Sequence, residues 1–245
     1  MTTRFSLSLA LLGCVAAAPA SRAITLPAQT TIPVIFTHTV NSAKAKAGDV
    51  VTAKTMQVVL LPNGDQLPKG TTVTGHVVEA RPFKFDETPY ASQSASYLSI
   101  QIDQVVDKGV PNRVATSVRA LADASAVRDA LIPQRTDETD FPGTMQLVGG
   151  GHYSPIGKRV TAGPEDDIIG YNKKQGVFAR LLAGGSGCEA TQTEQSVAIF
   201  SPDACGLYGF VSYHLSTNGD GTFRLESTHH TITLYAGSAA LLQVQ

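Results

Sequence analysis

Apolar and polar side chains alternate with a period of two residues in the first half of the chain. After an early turn, this alternation places Ile32, Val34 and Phe36 on one face of an extended segment. About forty residues later, it places Val73 and Val77 on one face in the same way. A Leu-Pro pair precedes each segment, and proline suits the residues before a strand because it fixes φ and cannot donate to a ladder. Both segments are predicted strands.

The same pattern continues to about residue 122. Asn63-Gly64 lies between two of the apolar segments and is a strong signal for a tight hairpin. We expect residues 24–122 to form an antiparallel β domain of barrel-like or sandwich-like type. The predicted strands are 31–40, 50–61, 71–80, 97–103 and 114–121.

The pattern changes in the next segment, residues 123–165. Ser125 to Ile132 predicts a short helix, with Ser125 as its N-cap and Pro133 ending it. Gln134 to Pro164 has few periodic apolar residues and contains three consecutive glycines at 149–151. We therefore expect an irregular linker between two lobes.

Residues 166–245 are predicted to form a second, β-rich lobe. Gly176 to Leu182 resembles a helical stretch that the following glycines end, and Asn218 to Gly221 marks a hairpin turn. The fold class predicted for the whole chain is mainly β. Strands of this lobe are expected at 197–200, 208–215, 222–227, 231–235 and 240–244.

Composition supports this interpretation. Charged residues make up 16% of the 245 residues, and the chain has 22 Gly, 13 Pro and no Trp. Globular proteins have roughly 25% charged residues, so many short strands and turns are favoured over long, salt-bridged helices.

Residues 1–23 are typical of an export signal. Arg4 supplies positive charge, an apolar stretch follows to Val15, and small residues end at Ala20 and Ala23, where cleavage fits. An uncleaved membrane anchor is the alternative, although the apolar run is shorter than the ~20 residues that a span needs. A third possibility is lipidation at Cys14, since Leu11 to Cys14 resembles a bacterial lipobox.

Charge and hydropathy limit the partners. Removing Arg4 and Arg22 from the 19 basic residues leaves 17 against 20 acidic residues, a net charge of about −3. A chain of this charge offers no basic surface to nucleic acid. No later segment reaches membrane-spanning length, so we expect no transmembrane segment in the mature chain.

Two cysteines remain in the mature chain, Cys188 and Cys205. An exported protein meets an oxidising compartment, so the pair predicts one disulfide whose closure is worth ~3 kcal/mol. A metal or redox pair is the alternative, but it favours closer spacing or histidine partners.

The segments LPAQTTIPVIFTHTVNS, KAGDVVTA and LPNGDQLPKGTTVTGHVVEA resemble the β-domain of TrbI-like proteins of conjugation and type IV secretion machines. The resemblance covers residues 26–120 and implies a small β-barrel-like domain outside the cytoplasm, suited to docking. The retained membrane helix and Pro-rich periplasmic stretch of that family are missing from the sequence, so channel function is not carried over.

A second resemblance extends into the C-terminal half. Secreted bacterial proteins of unknown function also have a segment similar to LPKGTTVTGHV, followed by a C-terminal portion with two cysteines. The segment from Ser201 to Phe210 fits that pattern. This resemblance implies no activity.

The six histidines are candidates for catalytic or metal-binding residues. His38 is predicted to lie on the apolar face of its strand, and His76 on the polar face of another. His152 follows the three glycines, where a loop position is the simpler interpretation. Adjacent His229 and His230 would point to opposite faces of a strand, so one metal ion cannot use both without a bend.

One arrangement in the C-terminal lobe stays open on the sequence alone. His214 could approach His229 or His230 across a hairpin, with Asp220 or Glu226 adding a carboxylate. Sequence spacing alone does not show this, so no catalytic, cofactor or metal residues are predicted.

Three further motifs are better explained without a ligand or a reaction. The segment from Gly184 to Cys188 lacks the glycine that ends a nucleophile elbow. The acidic residues 165–167 lack the alternating spacing of a calcium loop. The glycines at 149–151 are not followed by the helix of a phosphate loop.

The sequence therefore predicts a periplasmic or secreted protein without enzymatic activity or cofactor, which has a binding or structural role at the cell envelope. Its expected partners are envelope proteins or a cell-surface polymer, and its oligomeric state is open. One alternative is a secreted hydrolase or carbohydrate-active protein with a site between the lobes. The other is a surface lipoprotein anchored at Cys14.

Overall fold

The computed structural model describes residues 24–87, 89, 92–133, 144–154, 156–163, 165, 167–185, 187–218 and 220–245. This part of the chain is mainly β, as the sequence predicts, and contains one helix, α1 (Ala124–Ala130). The strands are β1 (Thr31–Phe36), β2 (Val40–Asn41), β3 (Val50–Thr55), β4 (Val59–Leu60), β5 (Gln66–Leu67), β6 (Thr72–Arg81), β7 (Ser96–Asp107), β8 (Val110–Arg113), β9 (Thr116–Ala122), β10 (Met145–Gln146), β11 (His152–Tyr153), β12 (Arg159–Ala162), β13 (Asp167–Lys173), β14 (Gly176–Arg180), β15 (Glu194–Ser196), β16 (Gly206–Tyr208), β17 (His214–Thr217), β18 (Thr222–Ser227), β19 (Thr233–Leu234) and β20 (Ala239–Val244).

The larger sheet has the strand order β16-β9-β20-β1-β3-β6-β7-β18-β17, and β8 also pairs with β7. Its neighbours are antiparallel except β16, which runs parallel to β9. Because β20 lies between β1 and β9, this sheet joins strands from both sides of the predicted linker at 123–165. The two edge strands, β16 and β17, approach within 8 Å between Cα atoms. They do not pair, and the described strands form a sandwich-like arrangement without a closed barrel.

The main hydrophobic core lies on one face of this sheet. Ile32, Val34 and Phe36 are buried in it, as are Val73 and Val77, so the alternation of the two Leu-Pro segments is confirmed. The predicted hairpin at Asn63-Gly64 is also confirmed, since it joins the paired strands β4 and β5.

A second core covers the other face of the central strands. Ala120 and Ala122 of β9 and Leu241 of β20 point into it, and Val127 of α1 packs against them. Phe200, which is fully buried, belongs to the same cluster. These strands are therefore apolar on both faces, which is why β9 and β20 read as nearly continuous apolar runs.

The smaller sheet has the order β10-β11-β12-β13-β14-β15 and docks on the larger one through buried polar contacts. The Gln57 amide donates to the Val177 carbonyl and accepts from the Val177 N–H, both at 2.8 Å. Thr31 donates its N–H to Gln195 Oε1 at 3.1 Å and its hydroxyl to the Ser196 carbonyl at 2.7 Å. Each polar group buried at this junction thus gains a partner, as burial requires.

The predicted helical stretch from Gly176 to Leu182 is wrong. Residues Gly176–Arg180 form strand β14, which pairs with β13 and β15 on its two sides. Val177, Phe178 and Ala179 are all buried, so both faces of the strand are covered. A continuous apolar run has no period to distinguish a buried strand from a helix.

The other predicted helix exists, but its N-cap was predicted wrongly. The cap is Asp123, whose Oδ1 accepts the Ala126 N–H at 2.7 Å, and Ser125 lies inside the first turn. Of the predicted irregular linker, residues 134–143 lie outside the described part. Positions 155 and 164 lie outside it as well. The described remainder is not wholly irregular, because β10, β11 and β12 supply three strands of the smaller sheet.

The C-terminal strands match the prediction unevenly. Strands β18 and β20 agree with it, and β17 and β18 form the predicted hairpin, with the Asn218 N–H donating to the Thr222 carbonyl at 2.8 Å. The strand predicted at 197–200 is wrong: the Phe200 N–H returns to the Val197 carbonyl at 2.9 Å in a turn. The strand predicted at 208–215 is also wrong, since a turn separates β16 from β17.

Candidate functional site

The predicted disulfide between Cys188 and Cys205 is present. The sulfurs are 2.07 Å apart, and the Cα atoms are 6.0 Å apart. The bridge encloses a 17-residue separation that contains β15, the strand that carries Gln195 and Ser196 to the junction between the sheets. It therefore fastens the segment through which the smaller sheet contacts β1.

A buried arginine stands beside this bridge. Arg119 of β9 is 1% exposed, and its guanidinium donates to the carbonyls of Glu189, Leu182 and Pro202. Burial lowers the pKa of Arg119, and the charge of Asp203 opposes that effect. The side chain thus links the larger sheet to both ends of the segment that the disulfide closes.

Two of the histidines lie in the first half of the larger sheet. The prediction for His38 is wrong: β1 ends at Phe36, and His38 is exposed after it. His76 is partly exposed, and its Nδ1 lies 2.8 Å from Asp103 Oδ2 across β6 and β7. This pair holds the imidazole on a partly exposed face of the sheet.

Four rings and one exposed valine gather at the end of the larger sheet where β17 begins and β18 ends. We call this group, Phe210, Val211, Tyr213, His229 and His230, the aromatic–histidine surface. The ring centroids of Phe210 and Tyr213 are 5.4 Å apart, and those of Tyr213 and His230 are 5.2 Å apart. The His229 ring follows at 6.3 Å from that of His230. The rings therefore form a continuous row.

Hydrogen bonds place the two histidines in that row. The backbone N–H groups of His229 and His230 both donate to Ser227 Oγ, at 3.1 and 3.4 Å. The Ser96 hydroxyl, on β7, is bonded to the carbonyls of Ser227 and His230. His230 Nε2 in turn lies 3.1 Å from the Val211 carbonyl. Both residues lie in the turn after β18 and not in a strand, so the opposite-face geometry expected for a strand does not apply to them.

The hydroxyl group of Tyr213 makes two hydrogen bonds to the backbone. It accepts the Thr233 N–H at 3.1 Å and donates to the Thr231 carbonyl at 3.5 Å. Burial raises the pKa of Tyr213, so its phenol remains neutral at physiological pH. The Phe210 and Tyr213 rings are partly buried against the main core, whereas Val211, 76% exposed, and Tyr235, 58% exposed, stand in solvent. Large apolar side chains that are exposed together mark a surface suited to contact.

The possible grouping of His214 with another histidine and a carboxylate in the C-terminal lobe is only partly formed. His214 lies opposite Glu226 in the register of β17 and β18, but the Glu226 carboxylate is bonded to Arg224 at 3.4 Å. Asp220 is turned back on its own hairpin, where the Thr222 N–H lowers its pKa. Among the residues that the structure describes, no group of three or more His, Cys, Asp or Glu side chains could hold a metal ion.

A charged network covers the outer face of β6, β7 and β18. The Tyr97 ring lies between the guanidinium groups of Arg81 and Arg224, at 4.8 and 4.5 Å from its centroid. Its hydroxyl donates to Glu79 at 2.5 Å, and Glu79 also pairs with Arg224 at 2.7 Å. The hydrogen bond to Glu79 raises the pKa of Tyr97. These groups satisfy one another across the strands, as cross-strand pairs commonly do.

The remaining motifs fall in turns and strands. Gly184 donates its N–H to the Cys188 carbonyl at 3.0 Å, and the Gly151 N–H donates to Ser201 Oγ at 3.1 Å. His152 lies in β11 beside Thr161, at 3.2 Å between Nε2 and Oγ1, and therefore not in a loop. Of the acidic residues 165–167, position 166 lies outside the described part of the chain.

Cys14 and the whole predicted signal lie outside the described residues. Within residues 24–245 as far as the structure describes them, no helix has the length and apolarity that a bilayer crossing demands.

Sequence reasoning missed two features of this region. Arg119 carries a signal in hindsight, since it is the one charged residue within the apolar strand Thr116–Ala122. The row of rings carries no sequence signal, because Phe210 and Tyr213 precede β17 while His229 and His230 lie in the turn after β18. Only the tertiary fold brings them together.

Comparison with known proteins gives this chain no relative. No protein-family model, no curated protein and no solved structure matches it. The fold and the site define a mainly β protein with one disulfide and a partly exposed row of rings.

Proposed function

We propose that this chain is an exported, envelope-associated binding or structural protein without enzymatic activity, and that it makes contact through the aromatic–histidine surface. The observation that carries the proposal is the row of four rings beside the exposed Val211. Rigid rings bury much area at little cost in entropy, and Tyr and Phe are enriched in the cores of interfaces.

Two features support the setting of this role. The Cys188–Cys205 bridge is compatible with an oxidising compartment, where structural disulfides form and persist. Residues 26–120 resemble the β-domain of TrbI-like proteins, which implies a docking domain outside the cytoplasm. The partner in this proposal is an envelope protein or a surface polymer.

The test is co-sedimentation of the purified mature protein with envelope fractions of the organism that encodes it. The variant carries Val211→Ser and His229→Ser, two exposed positions whose side chains are not part of a core. We expect its bound fraction to fall at least tenfold, because the surface loses the exposed apolar side chain of Val211 and the imidazole ring of His229.

The matched control is Val50→Ser. Val50 is 73% exposed, close to the exposure of Val211, and lies on β3, which three strands separate from β17. We expect the control to bind like the wild type. Equal binding of all three proteins, or no binding by the wild type, would contradict the proposal. Release of soluble sugars or peptides from the fractions by the wild type would contradict its non-enzymatic part.

A further inference from the structure

A groove of about 310 Å³ runs between α1 and the end of β16. Ala126 and Ala130 of α1 form one wall, and Tyr208 and Gly209 form another. The chain that follows β10, residues 147–149, closes the third side. This volume is at the lower end of the range for ligand sites in proteins.

The apolar part of the groove lining is held rigidly. Leu147, Val148 and Ala130 are all buried, so they present fixed apolar surface. Gly149 has a φ of +104°, and a Cβ there would stand 3.0 Å from Ala204 Cβ, so the backbone must pass close to the disulfide segment. The Tyr208 hydroxyl is occupied by the backbone of Cys205, which leaves its ring to line the groove.

A single charged group belongs to the lining. Asp129 is exposed at the rim, and among the described residues its carboxylate makes no hydrogen bond or ion pair. Among the described residues, no lysine, arginine or histidine lines the groove. Arg128 is next to Asp129 in the helix, and consecutive helical residues do not share a face. The groove therefore complements an apolar body that ends in one positive charge.

The side chains of lysine and arginine have this form, since an aliphatic stem packs on apolar surface while the charged head stays at the edge. Leu131 and Ile132 follow directly on Ala130 and are 55% and 52% exposed. They extend the apolar surface beyond the groove, which a peptide chain would cover and a free amine would not.

We propose that this groove binds a lysine or arginine side chain of a partner polypeptide, with its cation at Asp129 and its stem between α1 and Tyr208. This goes beyond the proposed function, because it assigns a second site and a ligand chemistry. Gly209 and Phe210 are consecutive, so one polypeptide could cover both the groove and the aromatic–histidine surface.

The probes are fluorescent hexapeptide mixtures with a fixed central residue, which is lysine, arginine, norleucine or glutamate, and with randomised flanking positions. Binding is measured by anisotropy at low and at moderate ionic strength. We expect the lysine or arginine mixture to bind at least tenfold more tightly than the norleucine mixture, and salt to weaken that preference.

Two variants locate the site. Asp129→Asn removes the charge, and Ala126→Leu narrows the groove without changing charge; each should weaken binding of the basic mixture at least tenfold. Asp167→Asn is the charge-matched control, because Asp167 is an exposed carboxylate on β13, away from the lining. We expect it to bind like the wild type. Circular dichroism verifies that each variant is folded.

Three results would overturn the inference: no preference for lysine or arginine over norleucine, unchanged binding by Asp129→Asn, or equal loss with Asp167→Asn. Cadaverine distinguishes a free amine from a polypeptide side chain as the ligand. If this free diamine binds as tightly as the basic peptide mixture, the polypeptide ligand is refuted. None of these results bears on the sedimentation test of Val211 and His229, so the two proposals fail independently.

Discussion

Arg119 is a buried charged residue in a chain of which only 16% of the residues are charged. Its three carbonyl acceptors belong to Glu189, Leu182 and Pro202, and the Pro202 carbonyl also accepts the Leu182 N–H at 3.0 Å. Burying a charge is costly, and removing the guanidinium takes away the donor that the carbonyls of Glu189 and Leu182 use. The arginine is therefore a structural link between β9 and the disulfide segment.

We expect Arg119→Met to lower the free energy of unfolding by about 3 kcal/mol, since a side chain of similar length donates no hydrogen bond to the carbonyls of Glu189 and Leu182. Urea unfolding measures this as a lower midpoint at an unchanged slope. Arg128→Met, at an exposed position of α1, should change stability by less than about 0.5 kcal/mol. Equal effects of the two substitutions would show that the buried bonds contribute little.

Tyr97 gives a prediction on pH. The hydrogen bond to Glu79 raises the pKa of its phenol above the ordinary 10.0, so folding favours the protonated form. The stabilisation is fully present below pH 10 and is lost as the pH rises through the raised pKa. In Glu79→Gln, the pKa of Tyr97 should move down toward 10.0, which NMR titration of its Cζ resonance detects. An unchanged pKa would assign the shift to burial.

At the scale of elements, α1 depends on its cap. A helix of seven residues has little stability of its own, and Asp123 satisfies one of the N–H groups that its first turn leaves open. The same helix forms a wall of the groove, so its stability affects the proposed site.

Asp123→Ala should cost about 1 kcal/mol, because the Ala126 N–H loses its acceptor. Thermal unfolding monitored by circular dichroism measures the change. Asp123→Asn retains a side-chain oxygen for the same bond and should stay close to the wild type. A loss of the same size in both variants would point to the charge of Asp123 instead.

The elements also show how far sequence reasoning extends. Alternation predicted β6 because one of its faces is buried and the other is not, which leaves a period of two. It also predicted β1, although Thr31 and Pro33 on the second face of that strand are buried as well. It failed at β14, which neighbouring layers cover on both faces. It failed again at 208–215, where Gly209, with a φ of +78°, lies between β16 and β17 and has no room for a side chain beside Asp123.

At the scale of the whole molecule, the Cys188–Cys205 bridge and the polar junction of the sheets act together. The bridge closes the segment that carries β15, and β15 supplies Gln195 and Ser196 to Thr31 of β1. Constraining that segment reduces the entropy of the unfolded chain and keeps the contacts of the junction in reach.

Replacing both cysteines by alanine should therefore lower the free energy of unfolding by about 3 kcal/mol, the chain-entropy value for a loop of this length. Hydrogen exchange should also show faster opening of β14 and β15 than of β6 and β7, because the smaller sheet is held through this segment. Reduction of the wild-type protein is the control and should have the same effect. Uniform loosening of both sheets would contradict this account.

The sequence by itself determined the fold class, the disulfide and the first strands. These properties follow from local chemistry: the period of side chains along one strand, the turn preference of Asn-Gly, and a cysteine pair that lies outside the predicted export signal. Tertiary structure alone decided the insertion of β20 between β1 and β9, the burial of Arg119, and the meeting of Tyr213 with His230. Each of these depends on contacts between residues far apart in the chain, and no local pattern records which distant surfaces will pack together.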